Sequence, residues 1–369
     1  MYFYQHQDWP TFKWDNDLIL PHVSKVRDLQ GRLIGRMENI GFELRDEAVL
    51  ETITEDVIKS SEIEGETLNA REVRSSVARR LGMEISGLPT AGKDVEGVVE
   101  MMLDATQNYK QPLTKDRLCG WHAALFPTGR SGMHKITVGE WRNDQQGPLQ
   151  VVSGAMGKEK VHYTAPEASC LENEMNHFLN WFNTNENIEP VIKSAVAHLW
   201  FVSIHPFDDG NGRIARAIAD SQLARADRTN QRFYSMSGQI MESKKGYYDI
   251  LESTQKGNLD ISQWLVWYFE RLEDALEATN ETLSQIVTKA KFWELHKSTA
   301  FNERQRMMIN RLQGEFVGKL SSSKWAKMTK VHRDTALRDI QDLVNKGVLE
   351  DSGEGGRSTN YILKLLRLN

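Results

Sequence analysis

The 369 residues carry 46 Lys and Arg against 51 Asp and Glu, a formal charge of −5, and 40% of them are hydrophobic. That length and apolar content serve two or three domains with sizeable cores, and the acidic balance excludes a chain that binds polyanions over its whole surface. No window approaches 18 uninterrupted apolar residues, and Met1–Asp8 shows no basic region followed by an apolar run, so neither a membrane span nor a signal peptide is predicted and a cytoplasmic location is expected. Cys119 and Cys170 fit no metal or redox spacing and are expected to be buried thiols in a reducing compartment.

Helical periodicity dominates the chain. Residues 1–16 hold several aromatics and Pro10 and read as irregular or briefly extended. From Leu18 to about Ile40, the residues Val23, Val26, Leu29, Leu33, Ile34 and Met37 recur at three- and four-residue steps, which predicts a helix. Further helices are predicted over 46–60, 69–81, 93–109, 114–125, 167–183, 189–204, 213–226, 244–256 and 260–297. Residues 147–163 break the pattern with two β-favouring runs around a Gly-containing turn and read as a hairpin, either a surface loop or an edge strand that pairs with a partner segment.

The C-terminal portion changes character. Helices are predicted over 304–316, 322–328 and 333–346, followed by two β-prone runs around a Gly-rich tip, an order that resembles a winged helix-turn-helix. Residues 321–369 hold nine Lys and Arg against six Asp and Glu, a local +3. His332, Arg333 and Arg338 fall in or beside the candidate recognition helix and Arg357 on the wing, where they suit phosphates or base edges of DNA. The same module equally serves protein docking or a homodimer, and the basic footprint is small.

The densest chemistry lies in His205-Pro-Phe-Asp-Asp-Gly-Asn-Gly-Arg-Ile-Ala-Arg216. Gly210 and Gly212, around Asn211, let backbone N–H groups approach an anion. A helix predicted to begin near Arg213 adds its positive end, and Arg213 and Arg216 lie three residues apart on one face, within reach of phosphate oxygens. Asp209, next to Asp208, suits a divalent cation held against a polyphosphate, and His205 is placed to accept a proton from a hydroxyl. Taken a few at a time, these residues also make an ordinary solvated turn between helices.

The segment resembles the signature of the Fic family, His-x-Phe-x-(Asp/Glu)-Gly-Asn-Gly-Arg-x-x-Arg, at every fixed position. The resemblance implies a mainly α fold: a Fic-type helical bundle with a β-hairpin flap over 90–298, an N-terminal helical extension over 1–89, and the winged helix over 299–369. It implies a protein adenylyltransferase that moves AMP from ATP, with Mg²⁺, to a Tyr, Ser or Thr hydroxyl of a target protein or of itself. His205 is then the base, Asp209 the metal ligand, and Gly210, Asn211, Gly212, Arg213 and Arg216 the phosphate cradle with Asp208 beside them. Phe207 anchors the loop. The flap, around Val151, Val152 and Ser153, aligns the target, with Ser153 near the nucleotide. Tyr247 is assigned to the adenine pocket, although helix packing explains it almost as well. Two other readings stay open: a DNA-binding regulator whose Fic core is a sensor, and transfer of UMP or phosphocholine from another donor.

Ser60-Ser-Glu-Ile-Glu-Gly65 alone is an acidic helix terminus. By resemblance it fits the inhibitory motif (Ser/Thr)-x-x-x-Glu-(Gly/Asn), so Ser60, Glu64 and Gly65 are expected to restrain the enzyme through a Glu64–Arg216 pair. Support of the reverse reaction by Glu64 is not readable. Gly87–Asp94 falls short of a P-loop, because Asp94 stands where Ser or Thr is required. His198 reads as a core histidine, and Trp264, Trp267 and Tyr268 as packing.

Overall fold

The structure is a computed structural model and describes residues 1–39, 41–83, 89–145, 147–154, 158, 160–184, 187–313, 316, 318–352 and 360–364. It divides into two compact units, Met1–Thr279 and Asn280–Asn369.

In the first unit the three- and four-residue spacing becomes helices: α1 (Asn16–Asn39), α2 (Phe42–Ile63), α3 (Ala70–Arg80), α4 (Lys93–Gln107), α5 (Lys115–Leu125), α6 (Leu171–Thr184), α7 (Pro190–Ile204), α8 (Asn211–Asp227), α9 (Met236–Glu242), α10 (Lys244–Gln255) and α11 (Ser262–Leu295), in which the unit boundary falls. Side-chain caps fix several starts. Asn69 accepts from the Arg71 and Glu72 N–H groups, Thr114 from Arg117, and Glu189 from Val191 and Ile192, with Pro190 in the first turn where a missing N–H costs nothing.

Several boundaries differ from expectation, and two of them bear on the site. Helix α2 runs three residues further, to Ile63, and stops where Gly65 takes φ +84°, a left-handed turn that glycine adopts without strain. Helix α8 starts two residues earlier, at Asn211, because Gly210 is its left-handed cap. Helix α9 was not predicted; seven residues are too few to show a period, and Ser235 starts it by accepting from the Gly238 N–H.

The strands are short. β1 (Arg130–Ser131) and β2 (His134–Lys135), also not predicted, form a small antiparallel pair. β3 (Gln150–Ser153) and β4 (Lys160–Thr164) pair antiparallel within the predicted hairpin, Val151 opposite Tyr163 and Ser153 opposite Lys160, with a register shift between Val151 and Val152. The cysteines do not match expectation: Cys170 is exposed, in a 3₁₀ turn leading into α6, and Cys119 is only partly covered, since its neighbours on α5 Leu118 and Trp121 take the inward positions.

The centre of this unit is the antiparallel-connected pair α7 and α8. Every residue from Val191 to Ile204 is buried, as are nearly all of α8, with α2, α4 and α5 packed around them. Trp264 and Tyr268 are fully buried against α7, Trp264 donating to the Ala195 carbonyl at 2.9 Å. His198 lies among them, its Nε2 2.9 Å from the Tyr247 hydroxyl, and burial pushes its pKa down to about 3. Among the described residues no helix is long and apolar enough to cross a membrane.

The second unit contains α12 (Glu303–Leu312), α13 (Ser322–Thr329) and α14 (Arg333–Asn345), followed by the antiparallel pair β5 (Leu349–Asp351) and β6 (Tyr361–Leu363). Met308, Ile309, Trp325, Ile340, Leu343 and Val348 form its core. Asp339, reached by Arg304 and Asn302, ties the start of α12 to α14.

Gly97 marks the tightest helix approach described. A Cβ there would stand 1.8 Å from the Ala124 carbonyl oxygen on α5, a backbone atom that cannot swing away. Gly97→Ala should therefore cost about 1–3 kcal/mol and lower the thermal midpoint by several degrees, whereas Gly31→Ala, with open space around its Cβ position, should not. Equal midpoints for the two variants would contradict this packing.

Candidate active site

The loop between α7 and α8 sets the site. His205 closes α7 with φ +54° and ψ +57°, a left-handed conformation rare for a residue with a Cβ. Arg142, which no sequence pattern marked, holds it there. Its Nε donates to the His205 carbonyl at 2.8 Å, its backbone N–H to the Pro206 carbonyl at 2.9 Å, and its other arms to Asp144 and the Pro166 carbonyl. The His205 ring places Nδ1 3.0 Å from the Val202 carbonyl. A carbonyl only accepts, so Nδ1 carries the proton and Nε2 keeps a free lone pair. Burial pushes the His205 pKa down; the Val202 bond opposes this. The imidazole is therefore neutral at pH 7.

Phe207 is fully buried and stacks on His122, with ring centroids 4.2 Å apart and planes 5° apart. Asn211 clips the loop, its side chain accepting from the Phe207 N–H at 3.0 Å and donating to the Phe207 carbonyl at 2.8 Å. Asp208 accepts from the Thr137 N–H at 2.8 Å, so its carboxylate is engaged with backbone. Asp209 accepts from the Ser131 hydroxyl in β1 and from the Gly210 N–H. A Cβ on Gly210 would come within 2.9 Å of the Phe126 ring.

Both arginines are buried and each meets a carboxylate from the turn after α2. Arg216 donates from Nε to the Ser60 hydroxyl at 2.9 Å, and from Nη2 to the Ser60 carbonyl and to Glu64 Oε1, each at 2.8 Å. Burial works against its charge, but the Glu64 carboxylate more than offsets this. Arg213 lies over the Phe126 ring and donates to Glu66 at 2.5 Å. Burial, reinforced by Asp209 and Glu64 and opposed by Arg213, pushes the Glu66 pKa up. Among the described residues, buried Arg213 Nε and Arg216 Nη1 meet no hydrogen-bond acceptor. Gly212 makes room for the arrangement, since a Cβ there would stand 2.1 Å from Glu64 Oε1. Glu66 is a second functional residue that sequence reasoning missed. Its only signal was a second carboxylate two residues after the first, opposite a second arginine.

Glu64, Ser153, His205, Gly212, Tyr247 and Tyr248 share the lining of a cavity of about 450 Å³. Tyr247 is buried with its hydroxyl engaged by His198, and Tyr248 donates to the Ile63 carbonyl at 3.1 Å. In the second unit, His332 caps α14, Arg333 donates to the Ser322 hydroxyl at 3.2 Å, and Arg338 is exposed. Arg357 lies outside the described residues, as does part of Gly87–Asp94.

The geometry defines a helical domain whose centre is a histidine–glycine–arginine loop at a helix N-terminus. Residues 112–223 match the Fic/DOC family, and residues 2–83 match a domain of unknown function (DUF4172). The chain is 26% identical over 220 residues to a protein adenylyltransferase Fic of Aedes aegypti, covering 57% of this chain and 38% of that protein. It is 29% identical over 98 residues to a probable protein adenylyltransferase of Aquifex aeolicus, covering 26% and 31%. The chain therefore spans less than two fifths of the length of these relatives. The crystal structure of a Fic family protein from Desulfovibrio desulfuricans G20 matches 94% of this chain and 95% of its own at TM-score 0.52 and 21% identity, a likeness of fold.

Removing the Arg142 guanidinium takes one partner from Asp144, which keeps the Ala168 N–H, and leaves the His205 and Pro166 carbonyls without theirs around a buried gap. Arg142→Met should destabilise the fold by about 3 kcal/mol or more, read as a lower urea midpoint; an unchanged midpoint would show that the His205 conformation does not depend on it.

Proposed function

We propose that this protein transfers AMP from ATP to a hydroxyl side chain of a protein, and that the turn after α2 restrains it. The observation that carries the reading is the pairing of a neutral His205, its Nε2 unprotonated, with two buried guanidiniums at one glycine-led helix N-terminus.

Behind the left-handed Gly210 cap, the first-turn N–H groups of α8 at Asn211 and Gly212 and the guanidiniums of Arg213 and Arg216 seat the phosphates. The Asn211 side chain is committed to Phe207, so its part is played by backbone. The two arginine nitrogens without acceptors await anionic oxygens of that kind. His205 Nε2 accepts the proton of the incoming hydroxyl. The oxygen–Pα bond forms, the bond from Pα to the pyrophosphate oxygen breaks, and Arg213 and Arg216 stabilise the charge that develops. Asp209 is the residue that would hold Mg²⁺, and the ion would supply positive charge to offset that of the phosphates. Tyr247 and Tyr248 border the nucleoside side of the cavity, and the β3–β4 hairpin offers its edge to the target segment.

Restraint is competition between anions. Glu64 holds the Arg216 arm that a terminal phosphate needs, and Glu66 holds Arg213. Separating a pair as buried as Glu64–Arg216 costs on the order of 2–5 kcal/mol, and Glu66, more exposed, contributes less.

Incubated with ATP and Mg²⁺, Glu64→Gly should modify protein at least about a hundredfold faster than wild type, and Glu66→Gln several-fold faster. Glu64→Gly/His205→Ala should bind ATP without transfer. Intact mass reports all three, and equal yields for wild type and Glu64→Gly would remove the restraint from this reading.

The pH dependence has a definite sign. The base must be deprotonated, and its pKa in the folded protein lies below the usual 6.5. In Glu64→Gly, the acid limb of kcat/KM for ATP should therefore have its half-maximal point below pH 6.5. A half-maximal point at or above pH 6.5 would exclude His205 as the base.

A further inference from the structure

The small pair β1–β2 contributes nothing to the core, yet it is fastened to the loop that carries the two aspartates. None of residues 130–135 is buried, and Met133 at the tip is 88% exposed. Gly129 and Gly132, both with positive φ, turn the chain back on itself, and the Ile136 N–H closes the segment on the Gly129 carbonyl at 3.2 Å. Two bonds then join it to adjacent carboxylates: the Thr137 N–H donates to Asp208 at 2.8 Å, and the Ser131 hydroxyl donates to Asp209 Oδ2. The first bond needs only backbone. The second takes a particular side chain, and packing does not account for it, because a half-buried hydroxyl finds water as readily as a carboxylate.

Asp209 is held from both sides. Its Oδ1 accepts from the Gly210 N–H at 2.5 Å and its Oδ2 from Ser131. Its charge also acts on Glu66, the partner of Arg213, so Asp209 and Ser131 stand at the Arg213 end of the phosphate seat. A hydroxyl that donates its one proton keeps two lone pairs. Mg²⁺ takes hard oxygen donors and sets neighbouring ligands of its octahedron about 2.9 Å apart, an ordinary spacing for two oxygens joined by a hydrogen bond. Ser131 Oγ and Asp209 Oδ2 are thus already neighbours of the kind that two adjacent ligands must be. We infer that Ser131 supplies a second protein oxygen, beside Asp209, to the divalent cation that accompanies the nucleotide. This rests on the nucleotide site proposed above and adds a ligand to it.

The test takes the whole 369-residue chain carrying Glu64→Gly and His205→Ala as parent, so that ATP binds without being consumed, and titrates it calorimetrically with ATP at a series of Mg²⁺ concentrations. Adding Ser131→Ala should raise the Mg²⁺ concentration for half-maximal tightening of ATP binding at least about tenfold, with the affinity in the absence of Mg²⁺ unchanged. A partner that only hydrogen-bonds to Asp209 would give the same loss, so Ser131→Cys decides between the two roles. A thiolate is a poor ligand for Mg²⁺ and a good one for a soft cation, so Ser131→Cys should match Ser131→Ala in Mg²⁺ and, in Cd²⁺, bind ATP at least about tenfold more tightly than Ser131→Ala does. Cys119 and Cys170 are common to both and cancel from that comparison. Equal Mg²⁺ dependence in the parent and Ser131→Ala overturns the inference, and so does a Ser131→Cys variant that gains nothing over Ser131→Ala in Cd²⁺; in either case ATP binding by the parent leaves the nucleotide site standing. A parent that binds no ATP at any Mg²⁺ concentration removes the nucleotide site itself, and the Ser131 ligand with it.

Discussion

A guanidinium buried in a helical core is the constraint to which the other parts of the site answer. Arg216 is 2% exposed, and an ion so far from water persists only when its hydrogen bonds and its charge are met. Ser60 meets it with hydroxyl and carbonyl, Glu64 with a carboxylate. That requirement fixes the end of α2 against the start of α8. It also explains why position 212 has no side chain, because any Cβ would occupy the place of the Glu64 carboxylate. The elements nearby follow suit: from α10, Lys244 donates to the Glu62 carbonyl at 3.2 Å and Tyr248 to the Ile63 carbonyl, satisfying the last turn of α2.

The loop that bears His205 is fixed by different means. Helix α7 is buried along almost its whole length, so the chain has to leave it abruptly to bring polar groups to the cavity. The left-handed His205 provides that exit, and Arg142, Phe207 and the Asn211 clip bear its strain from three sides. The Val202 carbonyl, which the turn sets beside Nδ1, chooses the imidazole tautomer. Backbone geometry and proton position are thus one property of this loop.

Most of the helices were legible because burial imposes a 3.6-residue period on any helix that packs along one face, and α4, α5 and α10 show it. The buried α7 was legible from its apolar run Leu199–Val202 and Ile204, which reads as a core helix. The turn at 205–216 announced itself through residue types that serve little else in combination. What remained hidden was long-range. Arg142 lies 63 positions from His205 and Glu66 147 from Arg213, and nothing local in either segment requires the partner. Helix α9 and the β1–β2 pair were too short to carry a period. The start of α8 was misplaced because Gly210 read as part of the turn, whereas its left-handed conformation makes it the cap. The cysteines were assigned inward on composition alone, and composition does not say which side of a helix faces out.

Glu64 stands just beyond the last turn of α2, as its C-cap. Helix ends open far more readily than helices unpack, and such fraying takes well under a millisecond. The carboxylate proposed to block the phosphate seat is therefore attached to the part of α2 that opens first, while Val49, Leu50, Ile53 and Val57 keep the rest of the helix in the core. Lys244 and Tyr248 grip that last turn from α10, and Tyr248 also borders the cavity. Whatever fills the cavity and draws the Tyr248 hydroxyl to itself takes a hydrogen bond from the same turn, so the occupant and the latch compete for one side chain as well as for one arginine.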